Sequence, residues 1–253
     1  MQIELRALLV EINRLLKPDQ FNDYCPNGLQ IEGKSTVCHL VSGVTASQRL
    51  LDAAIAQGAD AILVHHGYFW RGENQAITGL KRNRIKTLLD HDVSLLAYHL
   101  PLDAHAEFGN NVQLAHVLGL VPSGELLKQN NQVMGLLADL PEPLTGSQLN
   151  ERISKALNRD AMHIDAENRL IRRVAWCTGA AQQYIEQAAQ LGVDAYISGE
   201  ISEPTVHSAQ EHGMHYFAAG HHATERYGVK ALGEFLAQRF GIRHTFIDIH
   251  NPV

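Results

Sequence analysis

The first stretch of the chain, Met1 to Lys17, carries Glu4 and Glu11 among its leucines and reads as an amphipathic helix stopped by Pro18. Further on the period changes. Leu40 to Val44 is a short apolar run ending at Thr45, after which Ser47 can cap a helix running through Gln57, and Gly58 stops it. Ala61-Ile62-Leu63-Val64 follows as a buried strand whose carboxyl end runs directly into His65-His66-Gly67. This is a β-α-β unit, and it places the chain in the α/β class.

The pattern returns in the second half, where Val174 to Thr178 leads through a helical stretch to Gly192 and then Asp194-Ala195-Tyr196-Ile197. Ala46, Gln48, Ala54, Gly58, Asp60 and Ala61 recur in register as Ala180, Gln182, Ala188, Gly192, Asp194 and Ala195. A strand from Val93 to Tyr98 ends at His99, and its counterpart, Tyr216 to Ala219, ends at Gly220-His221; His99 and Asp103 then correspond to His221 and Glu225. The expectation is an internal duplication, two α/β lobes of similar topology facing each other. Pro122 to Asn131 and Pro141 to Gly146 are the most loop-like stretches, which puts a first lobe at residues 1–126 and a second at 127–253.

Composition narrows the class. With 253 residues, 45% hydrophobic, 19% charged, 20 Gly and 8 Pro, the chain matches ordinary globular proteins and excludes collagen-like and disordered ones. The formal charge of −6, with scattered basic residues, argues against direct DNA binding, which needs a concentrated positive face. No window reaches the roughly 18 uncharged apolar residues of a membrane span. The amino-terminal stretch lacks the basic start and unbroken apolar core of a secretion signal. Three cysteines, Cys25, Cys38 and Cys177, match neither a disulfide framework nor a zinc knuckle, so a soluble, cytoplasmic protein is expected. Histidine, at 15 residues, is the anomalous count.

In open α/β sheets, ligands bind outside the carboxyl ends of the strands. Three such ends carry imidazole here: His65-His66, His99 and His221. Imidazole suits borderline metals, and carboxylates complete one coordination sphere or bridge two ions, so His65, His66, His99, Asp103, His221 and Glu225 form a candidate set. These donors exceed what one tetrahedral ion takes, whereas two ions about 3.5–4 Å apart would use them. Any one histidine alone is better explained by a structural role; taken together, the convergence favours a site. Adjacent residues of a strand point to opposite faces, so His65 and His66 share a site only if the chain turns, as Gly67 permits. His221 and Glu225 open a helix running through Phe240, with Thr224 as candidate cap, and fall on one face if the cap lies earlier. His222 has a different helical direction and reads as a group supporting the ligands or exposed to solvent. His105, His116, His207, His212 and His244 are isolated, while Glu200 and Glu203 either line the cleft or sit in a solvated loop.

Gly28-Leu29-Gln30-Ile31-Glu32-Gly33-Lys34-Ser35 satisfies the phosphate-loop pattern, but no buried strand precedes it and no helix follows. Cys177 lies inside a strand-like run and reads as packed rather than nucleophilic. Phe69 and Trp70 either stack on a flat substrate or pack in a loop. Lys34, Arg71, Lys81 and Arg226 are the cations available for a phosphate.

Four motifs, Tyr24-Cys25-Pro26-Asn27-Gly28-Leu29-Gln30, Val64-His65-His66-Gly67, His99-Leu100-Pro101-Leu102-Asp103 and Gly220-His221-His222-Ala223-Thr224-Glu225-Arg226, together resemble the GTP cyclohydrolase 1 type 2 homologue family. These are the NIF-three-like proteins, and the resemblance is strongest to the bacterial YbgI-type members. It implies interlinked lobes with a dinuclear metal centre in the cleft between them, a ring-shaped homohexamer, and a C-terminal segment that packs back on the first lobe. By the same resemblance the ligands are His65, His66, Asp103 and His221, with Glu225 as bridge, and His99 is a ligand or an acid–base group. The family name implies hydrolytic opening of the guanine imidazole ring of GTP; a hydroxide on the metal suits attack at C8, with His99 or the second ion moving protons. The same chemistry serves phosphoester hydrolysis, and a metal-delivery or regulatory interaction protein without turnover is the reading from another class. The expected cofactor is two divalent ions per chain, among iron, manganese, zinc, cobalt and nickel, and the expected partner a small molecule such as a nucleotide.

Overall fold

The computed structural model describes residues 1–167 and 169–253. Their contacts define two compact units, Met1–Phe108 with Gly228–His250, and Gly109–Tyr227 with Asn251–Val253. The first contains β1 (Ile3–Glu4), α1 (Leu5–Leu16), β2 (Gly28–Ile31), β3 (Thr36–Val37), β4 (His39–Thr45), α2 (Gln48–Ala56), β5 (Ala61–His66), α3 (Gly79–Asp90), β6 (Ser94–Ala97) and α4 (Leu100–Ala104). The second contains α5 (Asn110–Leu118), β7 (Gly124–Gln129), β8 (Gln132–Leu144), α6 (Gly146–Leu157), β9 (Met162–Ile164), β10 (Ile171–Cys177), α7 (Ile185–Gln190), β11 (Ala195–Ser198), α8 (Glu203–Glu211) and β12 (His215–Ala218). The helix α9 (His221–Phe240) begins in the second unit and ends in the first, which β13 (Arg243–Phe246) completes.

In the first unit the strand order is β13-β4-β5-β6-β2, with β2 antiparallel and the others parallel. Parallel strands are covered on both faces and therefore read as unbroken apolar runs. Leu40, Ala61, Leu63 and Leu96 face a core shared with Leu8 and Ile12 of α1 and Val229, Leu232 and Leu236 of α9. The alternate residues Val41, Ile62, Val64 and Leu95 face Leu50, Leu51 and Ala54 of α2 and Ile85 and Leu88 of α3. Ser47 caps α2 as expected, its Oγ accepting the Leu50 N–H at 3.4 Å. The amino-terminal helix is shorter than its pattern implied, because Ile3 and Glu4 pair with Val37 and Thr36.

The second unit has the order β7-β8-β10-β11-β12-β9, parallel across β10, β11 and β12. Val174, Trp176, Ala195, Ile197 and Phe217 face α5 and α6, whereas Ala175, Cys177, Tyr196 and Tyr216 face α7 and α8. Pro122 to Asn131 and Pro141 to Gly146 are not simply loops: β7 occupies most of the first and β8 runs into the second. Asn130 and Asn131 take φ of 49° and 65°, the left-handed pair that a tight type I′ hairpin turn needs. Residue 126 thus lies within β7, with Leu126 buried in the core of its unit. The division instead falls before α5 and again inside α9. Among the described residues no helix is long and apolar enough to cross a membrane.

Candidate metal-binding groups

In the first unit the carboxyl ends of β5 and β6 carry the imidazoles. Ring centroids of His65 and His66 lie 4.5 Å apart, those of His65 and His99 5.1 Å, and those of His66 and His99 5.8 Å. One nitrogen from each lies within 4.8 Å of the others, close enough to share an ion. Strand β5 continues through His66, so the rings converge without the turn expected at Gly67. What Gly67 provides is room: a Cβ there would collide with the Gln30 side-chain oxygen and lie 2.6 Å from the Ala97 Cβ. Gln30 accepts the Tyr68 N–H at 2.7 Å and donates to the Tyr68 carbonyl at 3.0 Å, clamping the loop behind the pair.

His65 is fully buried and its Nδ1 lies 3.0 Å from the Tyr98 carbonyl oxygen. A carbonyl only accepts, so Nδ1 carries the proton and Nε2 turns a lone pair toward Asp103 Oδ1, 3.4 Å away. Such a pair is satisfied by a shared proton or, equally, by a metal ion held between nitrogen and oxygen. The donor set therefore fits a metal ion. Asp103 reaches this point because it stands one helical turn after His99, on α4.

His99 is held from a loop that the sequence reading used only as a motif. Its backbone N–H donates to Asn27 Oδ1 at 2.7 Å, and its Nδ1 lies 2.7 Å from Asp23 Oδ1. Asp23 Oδ2 accepts the Leu100 N–H at 3.0 Å and Asn27 Nδ2 at 2.8 Å. Burial works to raise the Asp23 pKa, but the bonds from His99 and Asn27 outweigh it and hold the carboxyl below its ordinary range. Cys25 also lies near this group, yet burial, with the charge of Asp23, pushes its thiol up to about 12. Trp70 sets its ring edge-on to His99, centroids 5.0 Å apart.

In the second unit, α9 begins at His221, so Thr224 lies inside the first turn and is not the cap. Its backbone N–H donates to Gly220 O at 3.0 Å, which makes Gly220 the cap position and puts His221 and Glu225 on one face. His221 Nε2 is 3.0 Å from Glu225 Oε2, and Nδ1 is 2.6 Å from Glu200 Oε1. Burial lowers the His221 pKa, but the two carboxylates overcome it and push it up to about 9. A group that grips a proton between carboxylates offers the same electrostatics to a metal ion. Gly179, at φ +69°, brings the loop after β10 so close that a Cβ would collide with Glu225 Oε1.

Asp23 is the partner the sequence reading missed; its signal was its place at the head of the Tyr24 to Gln30 motif. Glu200 is resolved in favour of His221, whereas Glu203 bonds His207 on the surface at 2.8 Å. His222 is buried, its N–H donating to Val253 O at 3.0 Å. His105 accepts the amides of Glu107 and Phe108, His212 pairs with Glu186, His244 bonds Ser42, and His116 is exposed. Of the cations, Arg71 donates to the Asp23 carbonyl at 2.9 Å, beside the His99 loop. Lys34 pairs with Asp60 at 3.0 Å, next to the amino end of β5, Lys81 bonds Asn74 O at 3.1 Å, and Arg226 bonds Leu157 O at 2.6 Å. The apparent phosphate loop is the antiparallel edge strand β2 and its exit.

Mixed α/β units whose parallel strands end in histidine–carboxylate groups carry donor sets of the kind that can hold metal ions. The chain belongs to the Duf34/NIF3 (NGG1p interacting factor 3) family, whose model matches residues 3–252. It is 56% identical over 252 residues to a GTP cyclohydrolase 1 type 2 homolog of Pseudomonas aeruginosa, covering 100% of both chains. A protein of the same description from Vibrio cholerae is 55% identical over 253 residues, with 99% of each covered. Among solved structures, protein ybgI superimposes with a TM-score of 0.95 at 50% identity, over 99% of this chain and 100% of that one. A Thermus thermophilus protein gives 0.87 at 29% identity, again over 99% and 100%.

Proposed function

We propose that the chain is a dinuclear metal-dependent hydrolase acting on a purine nucleotide, opening its imidazole ring as the name of its relatives suggests. The observation that carries this reading is that each unit sets a histidine nitrogen against a buried carboxylate, His65 against Asp103 and His221 against Glu225. In this reading His65, His66, Asp103, His221 and Glu225 would hold two divalent ions. When bound, the ions supply Lewis acidity and bring the pKa of a water toward about 7. The donors suit iron, manganese, zinc, cobalt or nickel, and cellular supply decides among them.

The chain's own residues do the rest. Asp23 engages His99 Nδ1, which fixes the ring and leaves Nε2 as the nitrogen that exchanges a proton with substrate. Trp70, beside His99, offers an aromatic wall to a flat base, and Arg71 offers a guanidinium to a phosphate. The two units, each alternating its strand residues between two helix-covered cores, are on this reading copies of one ancestral α/β lobe. A cytoplasmic setting fits the three free cysteines.

The test is turnover of GTP by metal-replete protein, followed by NMR of the C8 proton and by phosphate release. Ring-opened product is expected from wild type, with a loss of about 100-fold or more in His99→Ala and no turnover in Glu225→Ala. Wild type that yields no more of either product than Glu225→Ala would contradict the hydrolase and favour a metal-delivery protein without turnover.

A further inference from the structure

A second cluster lies wholly within the second unit, on residues that neither the proposed hydrolase nor the motifs use. His163 stands on the edge strand β9, His215 opens β12, and Asp165 follows β9. His163 Nε2 and His215 Nδ1 are 3.1 Å apart, His215 Nδ1 and Asp165 Oδ1 3.2 Å, and His163 Nε2 and Asp165 Oδ1 3.9 Å. Ligand atoms about 2.0–2.1 Å from a tetrahedral ion stand roughly 3.3 Å from one another. The triangle already has nearly that size.

The hydrogen bonds around His215 fix which nitrogen faces the triangle. Its Nε2 lies 2.8 Å from the Arg169 carbonyl, which only accepts, so Nε2 carries the proton. The Ala166 backbone N–H, which only donates, points to Nδ1 at 3.2 Å, so Nδ1 presents its lone pair. That lone pair lies 3.1 Å from His163 Nε2 and 3.2 Å from the carboxylate of the largely exposed Asp165, so the three candidate ligand atoms stand together. A backbone carbonyl on the far nitrogen is also the usual way a metal-binding histidine is oriented. The His163 ring is fixed by stacking on Phe217, centroids 4.5 Å apart and planes 8° from parallel. It also lines a surface cleft of about 660 Å³ whose wall carries both acidic and basic groups, Glu151 and Asp160 beside Lys155 and Arg159, so the ring of His163 is reached from solvent.

We propose that His163 Nε2, His215 Nδ1 and Asp165 Oδ1 form a mononuclear site for a borderline divalent cation of the zinc class, with one position open to the cleft. Three protein ligands and an open position are the pattern of an exchangeable site rather than a closed structural one. An ion there would also tie β9 and the segment after it to β12.

The test uses the full chain and zinc alone. Crystals soaked in zinc chloride are measured at the zinc absorption edge, and wild type, His163→Gln and Asp165→Asn are compared by equilibrium dialysis. His215 is left intact because its burial makes a substitution there a folding variant. An anomalous peak between the three atoms is expected, with zinc binding at this site weakened at least about tenfold in both variants and retained in Glu225→Ala. A zinc-soaked crystal with no peak at this position, or variants that bind zinc with wild-type number and affinity, would overturn the site. Because Glu225 belongs only to the other group, loss of zinc there leaves this result readable, and the reverse holds too.

Discussion

The Asp23 carboxylate takes hydrogen bonds from a ring, a side-chain amide and a backbone amide at once, through His99, Asn27 and Leu100. An anion so engaged fixes both the rotation and the tautomer of the imidazole. Asp23→Asn keeps the size but removes the charge. Turnover should fall by about 10–100-fold while metal content stays at the wild-type value; parallel rate and elemental measurements check this, and unchanged turnover would show that His99 needs no such partner. The chemistry-bearing residues at strand ends were legible because a buried strand announces where it stops, and His65, His66, His99 and His221 stand there. Asp23 was not, since a loop has no periodicity to say which strand end it folds against. Thr224 misled for a related reason: a threonine near a helix start suits a cap, but here it also fits the first turn, bonding back to Gly220.

At the scale of elements, β13 is held to β4 by groups that tolerate charge poorly. His244 Nε2 bonds Ser42 at 2.8 Å, and burial, then His39 and Lys230, lowers its pKa to about 4. The unfolded chain takes up this proton near pH 6.5, so between about 6.5 and 4 the unfolded state binds more protons than the folded one. The stability contributed by neutral His244 is therefore complete above about pH 6.5 and is lost as the pH falls toward 4. Melting temperatures across that window should drop more steeply in wild type than in His244→Gln; equal slopes would assign the acid sensitivity elsewhere. The parallel β-α-β elements were readable from unbroken apolar runs between Ser47-type caps and stop glycines. The β7–β8 hairpin was not, because Gly124-Glu125-Leu126-Leu127-Lys128-Gln129 shows no strand alternation and the Asn130-Asn131 turn resembles an ordinary polar loop.

For the whole molecule, the place where the chain changes unit was the least legible feature. Helix α9 passes from one unit to the other between Tyr227 and Gly228 without a break, and local sequence signals mark only the ends of elements. Assembly is a proposal at this scale: light scattering behind size exclusion should give the mass of a homohexamer, and a monomer mass at every concentration would contradict it. The proposed hydrolase requires the histidine–carboxylate groups to be a metal centre. The most direct measurement is elemental analysis of protein purified without chelator or affinity-resin metal, wild type beside Glu225→Ala. Wild type should hold about two more divalent ions per chain than the variant. Equal metal content in the two proteins would contradict the centre, and with it the hydrolase.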